Sequence, residues 1–211
     1  FPNIVINSTG TVTMTTDLRV NRNLTYTSGT IVQNGFSLVL PGSVAGTMNT
    51  GSVVWNNVVI SKTAGIGITS TTFQVQNVSL TGVSVVVFAG GTMRILGNLS
   101  SGASTYGGGS GTVSFEGTGA QSVASFTAPA VLAVNKSSGI LTIAGDLVTQ
   151  AGGDVSVTAG RVEQAANFSV SDELSLSPGT ACITNCFALS YVSLLGPLYL
   201  VYGNESVINI T

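Results

Sequence analysis

Histidine is absent from all 211 residues. Without an imidazole, a Ser-His-Asp triad cannot form, and the thiols have no imidazole partner to activate them. Charge is nearly as scarce, at 7% of residues against a usual quarter. The six basic residues, Arg19, Arg22, Lys62, Arg94, Lys136 and Arg161, are spread along the chain. They form no basic stripe of the kind that neutralises phosphates, which argues against a nucleic-acid partner. No run of about 18 apolar residues occurs, so no transmembrane helix is expected. The most apolar stretch, Phe187 to Tyr202, is broken by Gly196-Pro197 and reads as two strands around a turn. Helical periodicity is almost missing as well.

There are only two cysteines, Cys182 and Cys186, in ACITNC. Two thiols without histidine do not complete a zinc site. The preferred reading is a local disulfide closing a small loop, which fits an oxidising exterior. The chain opens on Phe1-Pro2 with no basic or apolar leader, as expected of a secreted product whose signal has been removed. The expected location is therefore extracellular or at the cell surface.

What the chain does contain is repetition. INSTGTVTM from Ile6, ISKTAGIGI from Ile60 and VNKSSGILT from Val134 share one phrase. Each has an aliphatic residue, a small polar cluster, a glycine (Gly10, Gly65, Gly139) and a return to apolar alternation. A second phrase follows: GTIVQNGFSL from Gly29, GTMRILGNLS from Gly91, GRVEQAANFS from Gly160. Alternation is frequent, as in Thr11 to Met14, Phe73 to Gln76, Val155 to Thr158 and Leu174 to Ser177. It places one set of side chains inward and the other outward. A repeated strand-turn-strand phrase encodes stacking rather than a single pocket.

The expected fold is all-β: a right-handed parallel β-helix or solenoid with three degenerate units, about 1–54, 55–130 and 131–180. A β-sandwich or jelly-roll fibre subunit is the alternative. Residues 181–211 break the pattern and are expected to form a cap or a strand-exchange or contact segment. Residues 100–111, SSGASTYGGGSG, read as an inserted flexible loop.

GTVSFEGTGAQSV from Gly111 and AVNKSSGILTIAGDL from Ala133 resemble the repeat text of large bacterial secreted β-solenoid surface proteins. The resemblance is close there and looser over the first two units. It implies a right-handed parallel β-helix used in adhesion or surface structure, and specifies a style of repeat rather than one activity.

Asn-x-Ser/Thr occurs eight times, at Asn7, Asn23, Asn77, Asn98, Asn135, Asn167, Asn204 and Asn209. Chance would leave roughly three or four. Copying of repeats inflates such a count, but N-linked sugar would also supply the hydrophilic coat that charge does not. Glycoside hydrolysis would need two carboxyl groups about 5–10 Å apart. Asp146 with Asp154, and Glu163 with Asp172 or Glu173, are the candidates. Asp17-Leu18 and Asp146-Leu147 match between repeats, which favours a turn role through backbone N–H bonds. Eight dispersed acids make a calcium site weak, and no metal or cofactor is expected. Trp55 and the tyrosines could stack on sugars, but Val53-Val54-Trp55 matches Val113-Ser114-Phe115, which makes Trp55 a core residue.

The reading that results is a non-enzymatic structural subunit of an extracellular fibre or surface assembly, glycosylated and self-associating through β-strand edges. Asn3 to Ile6 or Ser206 to Ile210 could be the donated strand. The alternatives are an adhesin contacting surface polysaccharide, or a viral receptor-binding fibre. An ice-binding solenoid would require a regular outward threonine ladder.

Overall fold

The computed structural model describes residues 1–70, 72–81, 87–101, 109–164, 168–172 and 174–176, together with the backbone of 188–189 and 209–210. Among these residues there are strands and turns but no helix. All the pairings between strands are parallel, and the chain winds through about eight turns of a β-solenoid.

Each coil contributes to three ladders. In the first, residues 3–6 pair with 23–26, 24–25 with 48–49, 46–48 with 66–68 and 66–67 with 88–89. It resumes where 126–128 pair with 147–149 and 147–148 with 168–169. In the second, 72–75, 92–95, 112–115, 131–134 and 154–157 lie in succession, ending on 174–176. In the third, 38–42 pair with 58–62, 57–60 with 77–80, 78–80 with 99–101 and 121–123 with 141–143. The step between coils varies. It is 19 residues from Thr112 to Val131, 20 from Val58 to Val78 and 24 from Leu99 to Val123.

Alternation explains the core. The alternating segments Phe73 to Gln76 and Val155 to Thr158 lie on the second ladder with Phe73, Val75, Val155 and Val157 turned inward, and Leu174 is buried in register with Val155. Phe73, Met93, Val113, Leu132, Val155 and Leu174 stack in one buried row. Trp55, Val75, Ile95, Phe115, Val134 and Val157 form the row beside it. Leu38, Val58, Val78 and Leu99 form a buried row of the third ladder. Each side chain is covered by the coils above and below it, and full burial of one such residue stabilises by about 1.5–3 kcal/mol.

The repeated phrases do not stack on one another. Gly10 sits at the corner between the first and second ladders, Gly139 between the second and third, and Gly65 between the third and first. The three copies thus describe the same local event, strand-corner-strand, at three different corners. Only one of the three glycines is required by its geometry. Gly139 has φ +73°, and a Cβ there would lie 2.5 Å from the Gly119 carbonyl oxygen, whereas at Gly10 nothing lies within 4 Å. The true period is one coil, so each sequence unit holds more than two coils. The boundary at 54/55 falls inside a single strand, Val54–Lys62.

Most of the inserted loop, 102–108, and both cysteines lie outside the described residues. Within the tail, Ala188 pairs with Asn209 and Leu189 with Ile210, in parallel and one coil length apart.

Candidate functional site

Three polar constructions stand out against the aliphatic interior. The first is a stack at the corner leading into the third ladder, where one outward side chain caps the next coil. Asp17 Oδ1 accepts the Ser37 N–H at 2.9 Å, as the turn role for this aspartate predicts. Asn57 and Asn77 are register partners, and Asn77 Nδ2 donates to Asn57 Oδ1 at 3.4 Å. Asn77 Oδ1 accepts from the Asn98 N–H at 3.0 Å, and Asn98 Oδ1 from the Ser122 N–H at 2.9 Å. A shorter stack leads into the first ladder. There Asn23 Nδ2 donates to Asn3 Oδ1 at 2.9 Å while its own Oδ1 accepts from Thr47 N and Oγ1. Stacked amides of this kind hydrogen-bond along the axis as backbone does.

These stacks divide the candidate glycosylation sites. Asn23 and Asn77 are half-buried and their amide nitrogens are engaged. Asn7, Asn98 and Asn135 are exposed at corners. Asn167 and Asn204 lie outside the described residues, as does the side chain of Asn209.

The second construction was not legible in the sequence. Three glutamines use the side-chain amide as a substitute peptide group. Gln33 Nε2 donates to Val54 O at 2.8 Å and its Oε1 accepts the Asn56 N–H at 2.7 Å. Gln150 makes the same double bond with Gly109 N and O, at 2.6 and 2.9 Å. Gln121 is buried and donates to Ile95 O and Gly97 O at 3.0 and 2.5 Å. Their partners lie 21 to 41 residues away, so no local signal marks them.

The third construction is a pair of buried lysines. Lys136 donates to Gly117 O at 2.6 Å, to Gly119 O at 2.9 Å and to Gln121 Oε1, which uses the three protons of its ammonium. Lys62 reaches Asn21 O at 2.5 Å and Pro41 O at 3.4 Å, tying together three successive coils. Burial pushes both amines below their ordinary value of 10.5.

The acidic candidates are dispersed. Glu163 is bonded to Arg161 at 2.6 Å, half exposed. Glu116 takes Arg94 of the coil below, with the Nε contact at 2.7 Å, and also the Ser114 hydroxyl at 2.8 Å. Asp146 precedes the first-ladder strand Leu147–Thr149, whereas Asp154 begins the second-ladder strand that follows. Asp172 is exposed, and Glu173 lies outside the described residues. Trp55 is fully buried in the same row as Phe115, so it offers no face to a sugar.

The remaining feature is the first coil. Among the described residues, its strand Asn3–Thr13 is paired along one edge only, to Asn23–Val32. Pro2 O accepts the Asn23 N–H at 3.1 Å. Peptide direction alternates along a strand, so the groups of Ile4 face the second coil and those of Asn3 and Val5 face away. Val5 is 69% exposed and Phe1 74%. Ile4, Val12 and Leu18 are only partly buried, whereas Leu24 and Leu38, which cover Ile4 and Leu18, are fully so. A bare strand edge beside half-covered aliphatic side chains is the arrangement that pairs with another strand.

Comparison with protein-family models, with curated proteins and with solved structures returns no match.

Proposed function

We propose that this chain is a structural subunit of an extracellular fibre or cell-surface assembly, joined to its neighbours through β-strand edges and carrying N-linked sugar. The observation that carries the reading is the first coil: an unpaired parallel edge continuous with the packing that already joins coil to coil. The resemblance of Gly111 to Leu147 to bacterial surface repeats supports the same role. Exposed Asn7, Asn98 and Asn135 are the acceptors that fit, since modification at Asn23 or Asn77 would break an axial amide stack.

Electron microscopy of the purified chain over a range of concentrations tests the role. Filaments that lengthen with concentration are expected, and dispersed monomers at every concentration would refute it. Val5→Pro tests the edge, because proline removes an N–H that faces away from the second coil and is tolerated on an edge strand. The variant is expected to keep its far-UV circular dichroism and to lose assembly.

A further inference from the structure

An ordered row of threonines emerges only when the coils are stacked. Thr72, Thr92 and Thr112 are register partners on the second ladder, separated by two steps of 20 residues with no shift between them. Val131, also β-branched, continues the row on the next coil. Lower on the same ladder, exposed Thr11 pairs with exposed Thr30. Phe73, Met93 and Val113, which follow the three threonines, are fully buried, so the threonines face outward and are half-exposed. None of these five hydroxyls has a hydrogen-bond partner among the described residues. The outward row beside them is Gln74, Arg94 and Ser114, and its one charge, on Arg94, is bonded to Glu116 of the next coil. Trp55, Phe73 and Phe115, the aromatic side chains of these strands, are buried. The face therefore offers hydroxyls and methyl groups without a ring for a sugar to stack on.

We propose that this outward face of the second ladder binds ice, with the threonine hydroxyls and methyl groups as its contacts. Liquid water offers every hydroxyl the same hydrogen bonds that ice does. A surface can prefer the crystal only by holding its groups rigidly on a spacing that the crystal shares. Coils about 4.8 Å apart set the spacing along the axis, which is close to the oxygen repeat of hexagonal ice. The unshifted register of Thr72, Thr92 and Thr112 keeps that spacing regular over three coils. Threonine is stiff at χ1, so its hydroxyl and methyl are in place before contact and little rotamer freedom is lost on binding. Each contact is weak, and a rigid row that engages all at once adds them. This binding needs only one copy of the chain, so it stands apart from the assembly reading.

Ice-crystal shape and the gap between melting and freezing points, measured by osmometry on the 211-residue chain and its variants, test the assignment. Thr92→Tyr places a bulky ring at the centre of the row. Ser79→Tyr places the same ring on the outward face of the third ladder, between Val59 and Ser100. The native chain and Ser79→Tyr are expected to shape ice crystals and to hold a gap, and Thr92→Tyr is expected to lose most of it. Circular dichroism melts check that each variant folds. Thr72→Ser/Thr92→Ser/Thr112→Ser keeps every hydroxyl but removes the methyl groups and the stiffness, so a reduced gap is expected from it even if the tyrosine variant misfolds. A native chain that neither shapes ice nor holds a gap overturns the proposal. A gap that survives both threonine variants, or that Ser79→Tyr abolishes equally, overturns the assignment to this face.

Discussion

At the scale of the residue, the fold gives its largest buried polar side chains, Gln33, Lys62, Gln121 and Lys136, backbone partners from other coils. Gln121→Leu would remove an acceptor from Lys136 and a donor from two carbonyls. The expected loss is about 1–3 kcal/mol for the unmade bonds, read by denaturant unfolding. Trp55 differs, since its buried Nε1 has no partner, as does the buried Thr50 hydroxyl. Trp55→Phe therefore removes a polar atom at little packing cost, and stability within about 1 kcal/mol of the native chain is expected. The lysines add a pH dependence whose sign follows from burial. Their amines titrate lower in the folded chain than the ordinary 10.5, so below that value the unfolded chain binds more protons. Stability then rises with pH through the window between the lowered folded value and 10.5, and the burial penalty is full below it. Lys136→Met should flatten this alkaline rise in a pH series of chemical denaturation.

At the scale of the element, the unit is strand-corner-strand. Its presence was legible, because alternation, small polar residues and glycine are local signals. The division of labour among its glycines was not. Gly139→Ala would place a left-handed alanine against the Gly119 carbonyl, and a loss of about 2 kcal/mol or more is expected. Gly10→Ala, in open space without positive φ, is expected to be close to neutral. The pair of melting temperatures checks the contrast. The asparagines of the corners show the same limit. Asn23 and Asn77 carry the same sequence signature as Asn7 and Asn98, and only the coil below reveals that their amide nitrogens are spoken for. Site-resolved mass spectrometry of chain made in a glycosylating host is expected to find sugar on Asn7, Asn98 and Asn135 and none on Asn23 or Asn77.

At the scale of the molecule, strand pairing joins each coil to its neighbours, with Lys62 reaching one coil further, so stability is close to a sum over coils and their interfaces. Removing residues 58–77 takes out one coil and joins Asn57 to Val78, its own register successor. The shortened chain is expected to fold, with a strand signal per residue unchanged and a lower denaturant midpoint. Collapse to an unfolded chain would mean that the interior is one indivisible core.

The sequence by itself determined that the chain forms strands, that their apolar members share one side and that corners separate them. These are matters of neighbours two to four residues apart. Tertiary structure alone decided which ladder each copy of a phrase joins, which asparagines hold the coils together and where the lysines are buried. The reason is physical. All three corners carry the same local sequence signal, whereas coil register depends on partners some twenty residues away, across steps whose length varies.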